Sequence, residues 1–185
     1  MIADPTEQIA RRLLAERESR GWSQGELAAR AGVSKAMISK IERGEASPTA
    51  ALLARLSGAF ELTLATLLAR AENEGGRLTR AAEQAIWQDP ATRYVRRQLY
   101  ARPGGPVELV QVSLPAGAEV AIPSAAYNFI RQVVWVMDGE LEIREGAVTH
   151  RLEAGDCLEF GEPADSAFRN PGQRPVSYIV AVTAR

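Results

Sequence analysis

A ten-residue stretch between positions 34 and 43 concentrates small, polar and basic side chains. Hydroxyl, ammonium and guanidinium groups donate hydrogen bonds to phosphate oxygens and to acceptors on base edges. No acidic residue occurs before position 42 in this stretch. The pattern is typical of a segment that reads nucleic acid, and the candidate contacts are Ser34, Lys35, Ala36, Ser39, Lys40 and Arg43.

Residues able to perform catalysis are scarce in the chain. His150 is the single histidine and Cys157 the single cysteine, so no Ser-His-Asp or Cys-His arrangement stands out. We expect His150 to be a surface or packing residue and Cys157 to be a small core residue. Three carboxylates could form an acid–base pair, although their spacing singles out none of them: Glu142, Glu159 and Asp165. No catalytic residue is therefore predicted.

Two short helices joined by a tight turn are predicted around the basic stretch. Ser23 is suited to cap the first helix, and Glu26 three residues later completes a capping box. Gly32 falls at the turn, where a positive φ is cheap only for glycine, and Ser34 caps the second helix. This spacing predicts a helix-turn-helix whose second helix enters the DNA major groove. The alternative is an ordinary helical hairpin.

Three further helices are predicted to complete the N-terminal domain. Asp4 and Pro5 form a good start for the first helix, and Ser47 with Pro48 for the fourth. Thr63 is placed to cap a fifth helix that ends near position 72. The predicted organisation is a helical domain over residues 1–72, a linker over 73–91 and a β domain over 92–185.

Hydrophobic residues alternate with a period of two from about position 107 onward, which is typical of half-buried strands. A first strand is expected over residues 92–101, and Asp138-Gly139 and Glu145-Gly146 are predicted hairpin turns. Many short strands at close spacing predict an all-β sandwich or a small barrel. The other predicted strands are Glu108–Leu114, Val133–Met137, Glu140–Arg144, Thr149–Leu152, Asp156–Phe160, Ala167–Asn170 and Val176–Val182.

Six short motifs mark the helical stretch: Trp22-Ser23-Gln24, Glu26-Leu27-Ala28, Ala31-Gly32-Val33-Ser34, Ile38-Ser39, Ile41-Glu42-Arg43-Gly44 and Ser47-Pro48-Thr49. Together they closely resemble the lambda-repressor-like, xenobiotic-response-element (XRE) class of bacterial regulators. The resemblance covers about residues 6–70 and implies a five-helix DNA-binding domain. It also implies that Gln24 contacts a phosphate and that the base edges are faced by Lys35, Ala36, Ser39 and Lys40.

Two segments of the β domain, residues 136–142 and 152–156, resemble the motifs of the cupin jelly roll. Cupin enzymes bind a transition metal through three histidines and a glutamate. The aligned residues here are neutral and poor ligands, and only the motif's final asparagine is kept: they are Ala125 and Tyr127 (or Ala126 and Asn128), Gln132, Ser166 and Asn170. The resemblance implies the fold without the metal site, so neither a metal nor another cofactor is expected.

A cupin-like barrel has an open end, which predicts a ligand cavity in the second domain. Side chains at the former metal positions and their neighbours would hydrogen-bond a polar effector and cover its apolar part. Arg131 is expected to point away from Gln132, because side chains alternate along a strand. The alternative is a filled interior that serves only for dimerisation. The predicted effector contacts are Tyr127, Asn128, Gln132, Trp135, Ser166 and Phe168.

The charges of the 185 residues are unevenly divided, although the net charge is only −1. Residues 1–70 hold ten basic and eight acidic side chains, a net of +2, whereas residues 71–185 hold twelve and fifteen, a net of −3. Local placement of charge must therefore carry any attraction to DNA. No apolar run is long enough for a membrane span and no signal peptide is evident, which predicts a cytoplasmic protein.

The two resemblances together imply a multidomain α and β protein that regulates transcription. We expect it to bind double-stranded operator DNA as a homodimer, more often as a repressor, and to respond to a small-molecule effector. Two alternatives remain open. One is a metal-independent cupin enzyme tethered to a helix-turn-helix domain, and the other is an antitoxin-like regulator that acts through a protein partner.

Overall fold

A computed structural model describes residues 6–68, 78–101 and 105–184 of the chain. The predicted helix start at Asp4 and Pro5 lies outside these residues, as does the predicted end of the fifth helix near position 72. No helix in the described ranges is long and apolar enough to cross a bilayer.

Within the described residues, four helices form the N-terminal domain, and a five-residue helical segment, Leu64–Leu68, follows them up to the last residue described there. The domain is therefore a four-helix domain and not the five-helix domain predicted. Each of the four helices turns an apolar stripe inward, so that Ile9, Leu13, Leu27 and Leu53 share one small core. The helices are α1 Thr6–Ser19, α2 Gln24–Ala31, α3 Lys35–Glu42 and α4 Ala50–Phe60.

The start of α4 differs from the prediction. Thr49, not Ser47, is the N-cap: its backbone is extended and its hydroxyl accepts a hydrogen bond from the Leu52 amide at 3.3 Å. Pro48 is buried immediately before this cap rather than at the first helical position. The prediction of Ser47 was wrong because two hydroxyl residues flank Pro48, and only the second can reach the third amide of this helix.

In the described part of the C-terminal domain, ten antiparallel strands form two sheets, so the cupin-like fold is a β-sandwich. One sheet has the order β1-β2-β3-β10-β5-β8, and the other has the order β4-β9-β6-β7. The strands are β1 Ile86–Gln88, β2 Val95–Tyr100, β3 Glu108–Leu114, β4 Glu119–Ile122, β5 Ile130–Asp138, β6 Leu141–Glu145, β7 Val148–Leu152, β8 Cys157–Glu159, β9 Ser166–Arg169 and β10 Val176–Ala184.

The period-two pattern decides which side chains enter the sandwich. On β5, Gln132, Val134 and Val136 are buried whereas Arg131 and Trp135 are exposed. The predicted hairpin turn at Glu145-Gly146 joins the paired strands β6 and β7, with φ of 55° at Gly146. The prediction of a hairpin at Asp138-Gly139 was wrong: Gly139 has φ of 88°, but the turn carries the chain from β5 to β6 in the other sheet. Two strands were not predicted, and β1 lies inside the stretch 73–91 that we expected to be a linker.

Helix α4 packs directly on the β-sandwich, so the two domains share an interface. At Gly58 an added Cβ would lie 3.1 Å from the carbonyl oxygen of Ala125, in the short 3-10 helix Ser124–Tyr127, which shows how closely the backbones approach. The buried Asp89 carboxylate accepts a hydrogen bond from the Ala50 amide at 3.0 Å. Thr63 donates to Glu108 on β3 at 2.5 Å. These contacts hold the helical domain over one end of the sandwich.

Candidate DNA interface and ligand cavity

Local sequence signals set the geometry of the α2–turn–α3 unit. The Ser23 hydroxyl accepts from the Glu26 amide at 3.1 Å, while the Glu26 carboxylate accepts from the Ser23 amide at 2.6 Å. These hydrogen bonds lower the pKa of Glu26. Gly32 ends α2 in the left-handed region, and the Ser34 hydroxyl caps α3 by accepting from the Met37 amide at 3.2 Å. The predicted capping box, turn glycine and second cap are therefore confirmed.

Helix α3 divides into a buried side and a reading surface, by which we mean the outward side chains between positions 34 and 43. Ile38 and Ile41 are 2% and 1% exposed and fix the buried side. In the described part of the chain, neither lysine of this surface has an ion-pair partner within 4 Å. The structure brings together all the side chains predicted to contact DNA from this segment: Ser34, Lys35, Ala36, Ser39, Lys40 and Arg43.

A buried ion pair fastens α3 to α1. The Glu42 carboxylate accepts from Arg17 at 2.6 and 3.1 Å, and the two side chains are 5% and 12% exposed. The hydrogen bond to Glu42 raises the pKa of Arg17 above its usual value. Gln24, the predicted phosphate contact, donates to the same carboxylate at 2.8 Å. Its amide nitrogen therefore keeps one further N–H for another acceptor.

A second carboxylate lies at the end of the reading surface. Glu45 pairs with Arg43 at 2.6 and 2.8 Å, and both side chains are about half exposed. The hydrogen bond from Arg43 lowers the pKa of Glu45, and Arg43 also donates to the Ser39 hydroxyl. A phosphate approaching Arg43 would have to displace or share this carboxylate, because one guanidinium edge serves one bidentate acceptor.

A cavity of about 70 Å³ lies between the two sheets, beneath α4. Its roof is formed by side chains of the helical domain, namely Ala54 and Ser57 on α4 with Thr63 and Leu64 beyond it. Its walls and floor come from the sandwich and include Tyr94, Arg96, Val112, Tyr127, Ile130, Gln132, Phe168 and Tyr178. A wider groove of about 470 Å³ lies beside the cavity and shares Tyr127, Ile130 and Gln132 with it.

Three of the six predicted effector contacts line this cavity, and a fourth supports them. Tyr127, Gln132 and Phe168 are in the wall, and the Ser166 hydroxyl lies 2.5 Å from the Tyr127 hydroxyl. Burial raises the pKa of Tyr127 well above its usual value, although the Ser166 hydrogen bond opposes the shift. Phe168 stacks on Tyr178 with ring centres 5.9 Å apart.

The other two predicted effector contacts lie elsewhere. Trp135 is 48% exposed on the outer face of β5, because it is an odd number of residues from the inward Gln132. Asn128 is exposed just after the 3-10 helix, whose last residue, Tyr127, points inward instead. The prediction that these two side chains line the cavity was wrong. Cys157, expected in the core, is also exposed. It lies on the edge strand β8, and its register partner is the outward Trp135 of β5, so both side chains face away from the cavity.

Sequence reasoning missed Arg96 and the whole α4 roof. Arg96 points inward because its register partners are inward: it pairs with Val112, which pairs with Tyr178. The segment 95–100 shows no period-two pattern, since its residues are all half-buried. The roof could not be found from local patterns, because it depends on contacts between residues far apart in the chain. No pattern in the sequence around Asp89 indicated that this residue joins the two domains.

A helix-turn-helix domain packed on a cupin-like β-sandwich defines a class of DNA-binding regulator. Residues 13–67 match the helix-turn-helix family model HTH_3. The chain is 26% identical over 162 residues to the HTH-type transcriptional regulator SutR of Escherichia coli K12, covering 88% of this chain and 86% of that protein. The helix-turn-helix segment of this chain matches the HTH_3 family model, and over most of its length the chain is similar to an HTH-type transcriptional regulator.

Solved structures agree on the fold. An HTH_3 family transcriptional regulator from Vibrio cholerae superposes with a TM-score of 0.80 at 23% identity, covering 96% of each chain. The Fe(II) form of HppE matches with a TM-score of 0.51 at 18% identity, over 95% of this chain and 98% of that chain. At these identities both similarities concern the fold alone.

Proposed function

We propose that the reading surface of α3 binds operator DNA. Lys35, Lys40 and Arg43 would contact phosphates or base acceptors, and Ser34, Ala36 and Ser39 would lie close to the base edges. Gln24 would donate its second N–H to a phosphate at the start of α2. Support comes from the exposure of both lysines and from the rigid attachment of α3 through Ile38, Ile41 and Glu42.

Charge reversal at the centre of the reading surface tests this interface. Lys40→Glu should weaken binding by at least tenfold to a duplex selected in vitro with the wild-type protein, measured by fluorescence anisotropy at fixed salt. Arg151→Glu makes the same charge change at an exposed site on β7 and should leave the affinity within twofold. Equal losses in the two variants would point to net charge alone and remove the assignment of α3.

We infer that the cavity binds a small-molecule effector and that binding alters the helical domain. The main support is the position of the roof, since a ligand in this cavity touches the same helix α4 that packs against α2. A volume of about 70 Å³ suits a ligand of a few heavy atoms unless α4 moves away. A ligand that prefers one position of α4 would thereby change DNA affinity.

A thermal melt against panels of metabolites and divalent metals tests the sensor. A ligand at 100 times its dissociation constant stabilises the native state by about 2.7 kcal/mol, which is readily measured. A metabolite that raises Tm and also changes DNA affinity supports the sensor. Metabolites without any effect on either quantity would favour a domain that serves only for dimerisation.

The enzyme alternative has little support in the chemistry of the former metal positions. Tyr127, Gln132 and Ser166 are neutral, and Tyr127 and Ser166 are hydrogen-bonded to each other. Within the described ranges no cluster of three histidine, cysteine, aspartate or glutamate side chains could hold a metal ion. These residues do not fit a cupin metal, so an enzyme built on this sandwich would have to work without one, and we favour the regulator. A metal that raises Tm in the same melts would revive the enzyme alternative.

We propose that two copies associate through the outer face of the larger sheet. Trp135 and Met137 on β5 are 48% and 45% exposed, and Ile179 on β10 lies beside Trp135. A dimer would place two α3 helices on two half-sites, which a single helix cannot read with useful specificity. Trp135→Glu should shift the protein to monomers in sedimentation equilibrium, whereas Val148→Glu on β7 should not. A wild-type monomer at micromolar concentration would overturn the proposal.

A further inference from the structure

The cavity contains a cationic side chain that the function described so far does not use. Arg96 on β2 lines the cavity, and its Nη1 donates to the Tyr94 hydroxyl at 3.3 Å. Its Nε is buried and has no hydrogen-bond partner among the described residues. No carboxylate lies within 4 Å of this guanidinium in the part of the chain that the structure describes. A buried guanidinium N–H without an acceptor is costly, and an anion bound at this edge would remove that cost.

A second unpaired donor faces the same cavity. Gln132 is 7% exposed, and its side-chain Nε2 has no hydrogen-bond partner in the described ranges. The amide lies close enough to the Tyr127 hydroxyl to lower the pKa of that group, but the geometry between the two falls short of a full hydrogen bond, so the Nε2 group stays unsatisfied. Buried amide N–H groups are nearly always satisfied in folded proteins, so an acceptor in the cavity would remove this deficit.

The surroundings of Arg96 favour recognition of a carboxylate. Burial raises the pKa of Tyr178 well above its usual value, and the Arg96 charge opposes that shift, so the cation acts on the interior of the cavity. The Nε edge of a guanidinium presents parallel N–H groups that match the two oxygens of a carboxylate. The raised pKa values of Tyr127 and Tyr178 keep these two hydroxyls neutral, so they do not repel an anion.

We propose that the effector is a compact organic anion whose carboxylate binds Arg96 and whose other polar atom accepts a hydrogen bond from Gln132. This inference rests on the proposed sensor function and specifies its ligand class. The cavity volume of about 70 Å³ limits the ligand to a few heavy atoms while α4 is in place. The polar groove beside Tyr127 and Gln132 supplies the route of entry.

Short acids and their amides provide a matched test on the full chain. Sodium acetate and propionate are compared with acetamide and propionamide at constant ionic strength, because acid and amide have nearly the same shape and differ in charge. Binding is followed by thermal melts and by the Nε–H signal of Arg96 in protein labelled with ¹⁵N-arginine. We expect the acids to raise Tm and shift this signal, and the amides to do neither.

Two variants on one strand separate a specific site from a general charge effect. Arg96→Met should weaken acid binding by at least tenfold, whereas Arg97→Met, whose register partner is the outward Gln111, should leave it unchanged. Without ligand, the Tm of Arg96→Met should be no lower than that of the wild type, because the substitution removes an unpaired cation. If Arg96 had a purely structural role, its replacement would lower Tm. Gln132→Leu keeps the cation and should weaken binding several-fold, which covers the case in which Arg96→Met fails to fold.

The outcomes distinguish this inference from the proposed function. The proposal of an anionic effector would be overturned if acids and amides bound equally well, or if acids still bound to Arg96→Met. Neither outcome would contradict the proposal that the cavity senses a neutral ligand. If neither acid binds at 100 mM, the proposal that the effector is a compact organic anion is also overturned. The metabolite panel then decides the sensor function independently, because it includes neutral and cationic compounds.

Discussion

The reading surface and the cavity are built in opposite ways. The reading surface comes from ten consecutive residues on one helix and its caps. The cavity is lined from α4, the segment after it, both sheets and the 3-10 helix between β4 and β5. The first is encoded locally, so it can be recognised from a short stretch of sequence. The second depends on contacts between distant residues, and only the folded chain reveals it.

The difference extends to charge. On the reading surface the cations are exposed, and Arg43 is paired with the exposed carboxylate of Glu45. In the cavity the single cation, Arg96, is paired only with a tyrosine hydroxyl. Exposed charges tolerate change because water screens them, whereas a cation in a cavity selects its partner strongly. We therefore expect substitutions to have graded effects on DNA binding and abrupt effects on ligand binding.

The largest expected effect tests whether the reading surface is independent of the cavity. Glu42→Gln leaves Arg17 as a buried cation without its carboxylate and should lower the free energy of unfolding by about 3 kcal/mol. Chemical denaturation measures the loss, with Glu18→Gln as the control because that exposed carboxylate also lies near Arg17. Acetate affinity should be unchanged in the folded variant. A large change would mean that α1 and α3 contribute to the cavity after all.

The next effect tests how firmly the domains are joined. Asp89→Ala removes the acceptor of the Ala50 amide and of both the amide and the hydroxyl of Thr92. We expect a loss of about 2 kcal/mol, because buried donors are left unsatisfied. Calorimetry should then resolve two transitions where the wild type has one. Asp138→Ala, at an exposed turn, serves as the control, and a single unshifted transition in Asp89→Ala would show that the interface does not depend on this residue.

A smaller effect tests the roof. Ala54→Leu adds three carbons to a side chain that is 1% exposed and lines the cavity. Acetate affinity should fall about tenfold, which is about 1.4 kcal/mol, while DNA affinity without ligand stays within twofold. Ala51→Leu, at a half-buried position of the same helix, controls for general effects on α4. Unchanged acetate binding in Ala54→Leu would place the ligand outside the cavity.

The smallest effect tests the graded behaviour of the reading surface. Glu45→Gln removes the carboxylate that competes with DNA phosphates for Arg43. DNA affinity should rise about threefold with no measurable change in Tm, because the pair is exposed. Anisotropy titrations at several salt concentrations provide the readout, and Glu61→Gln is the control at another exposed acidic position. Weaker binding in Glu45→Gln would show that the carboxylate orients Arg43 instead of competing for it.

Much of this architecture is predictable from the sequence because its signals are local. The capping box at Ser23 and Glu26, the turn at Gly32 and the glycine turns of the sandwich each occupy a few consecutive residues. Alternation along β5 also places Gln132 inward. The same alternation contradicts an inward Trp135, so that error came from proximity in sequence overriding the parity of the strand.

Features that depend on tertiary contacts were not predictable. Arg96 lies in a strand without a clean alternating pattern, and its inward direction follows only from its register with Val112. The short strand β1 contains one buried residue, Trp87, and is recognised as a strand only through its pairing with β2. Asp89 looks like an ordinary loop aspartate until α4 is placed above it.

The shared roof has a consequence for how such a regulator could diversify. Recombination that exchanges whole DNA-binding domains between relatives would also exchange Ala54, Ser57 and the partner of Asp89, and so alter the ligand specificity of the recipient. New operator preferences are gained more safely by changing the outward residues of α3, which do not line the cavity. Modular reassembly of this protein is therefore constrained at α4, although its two folds are separate in sequence.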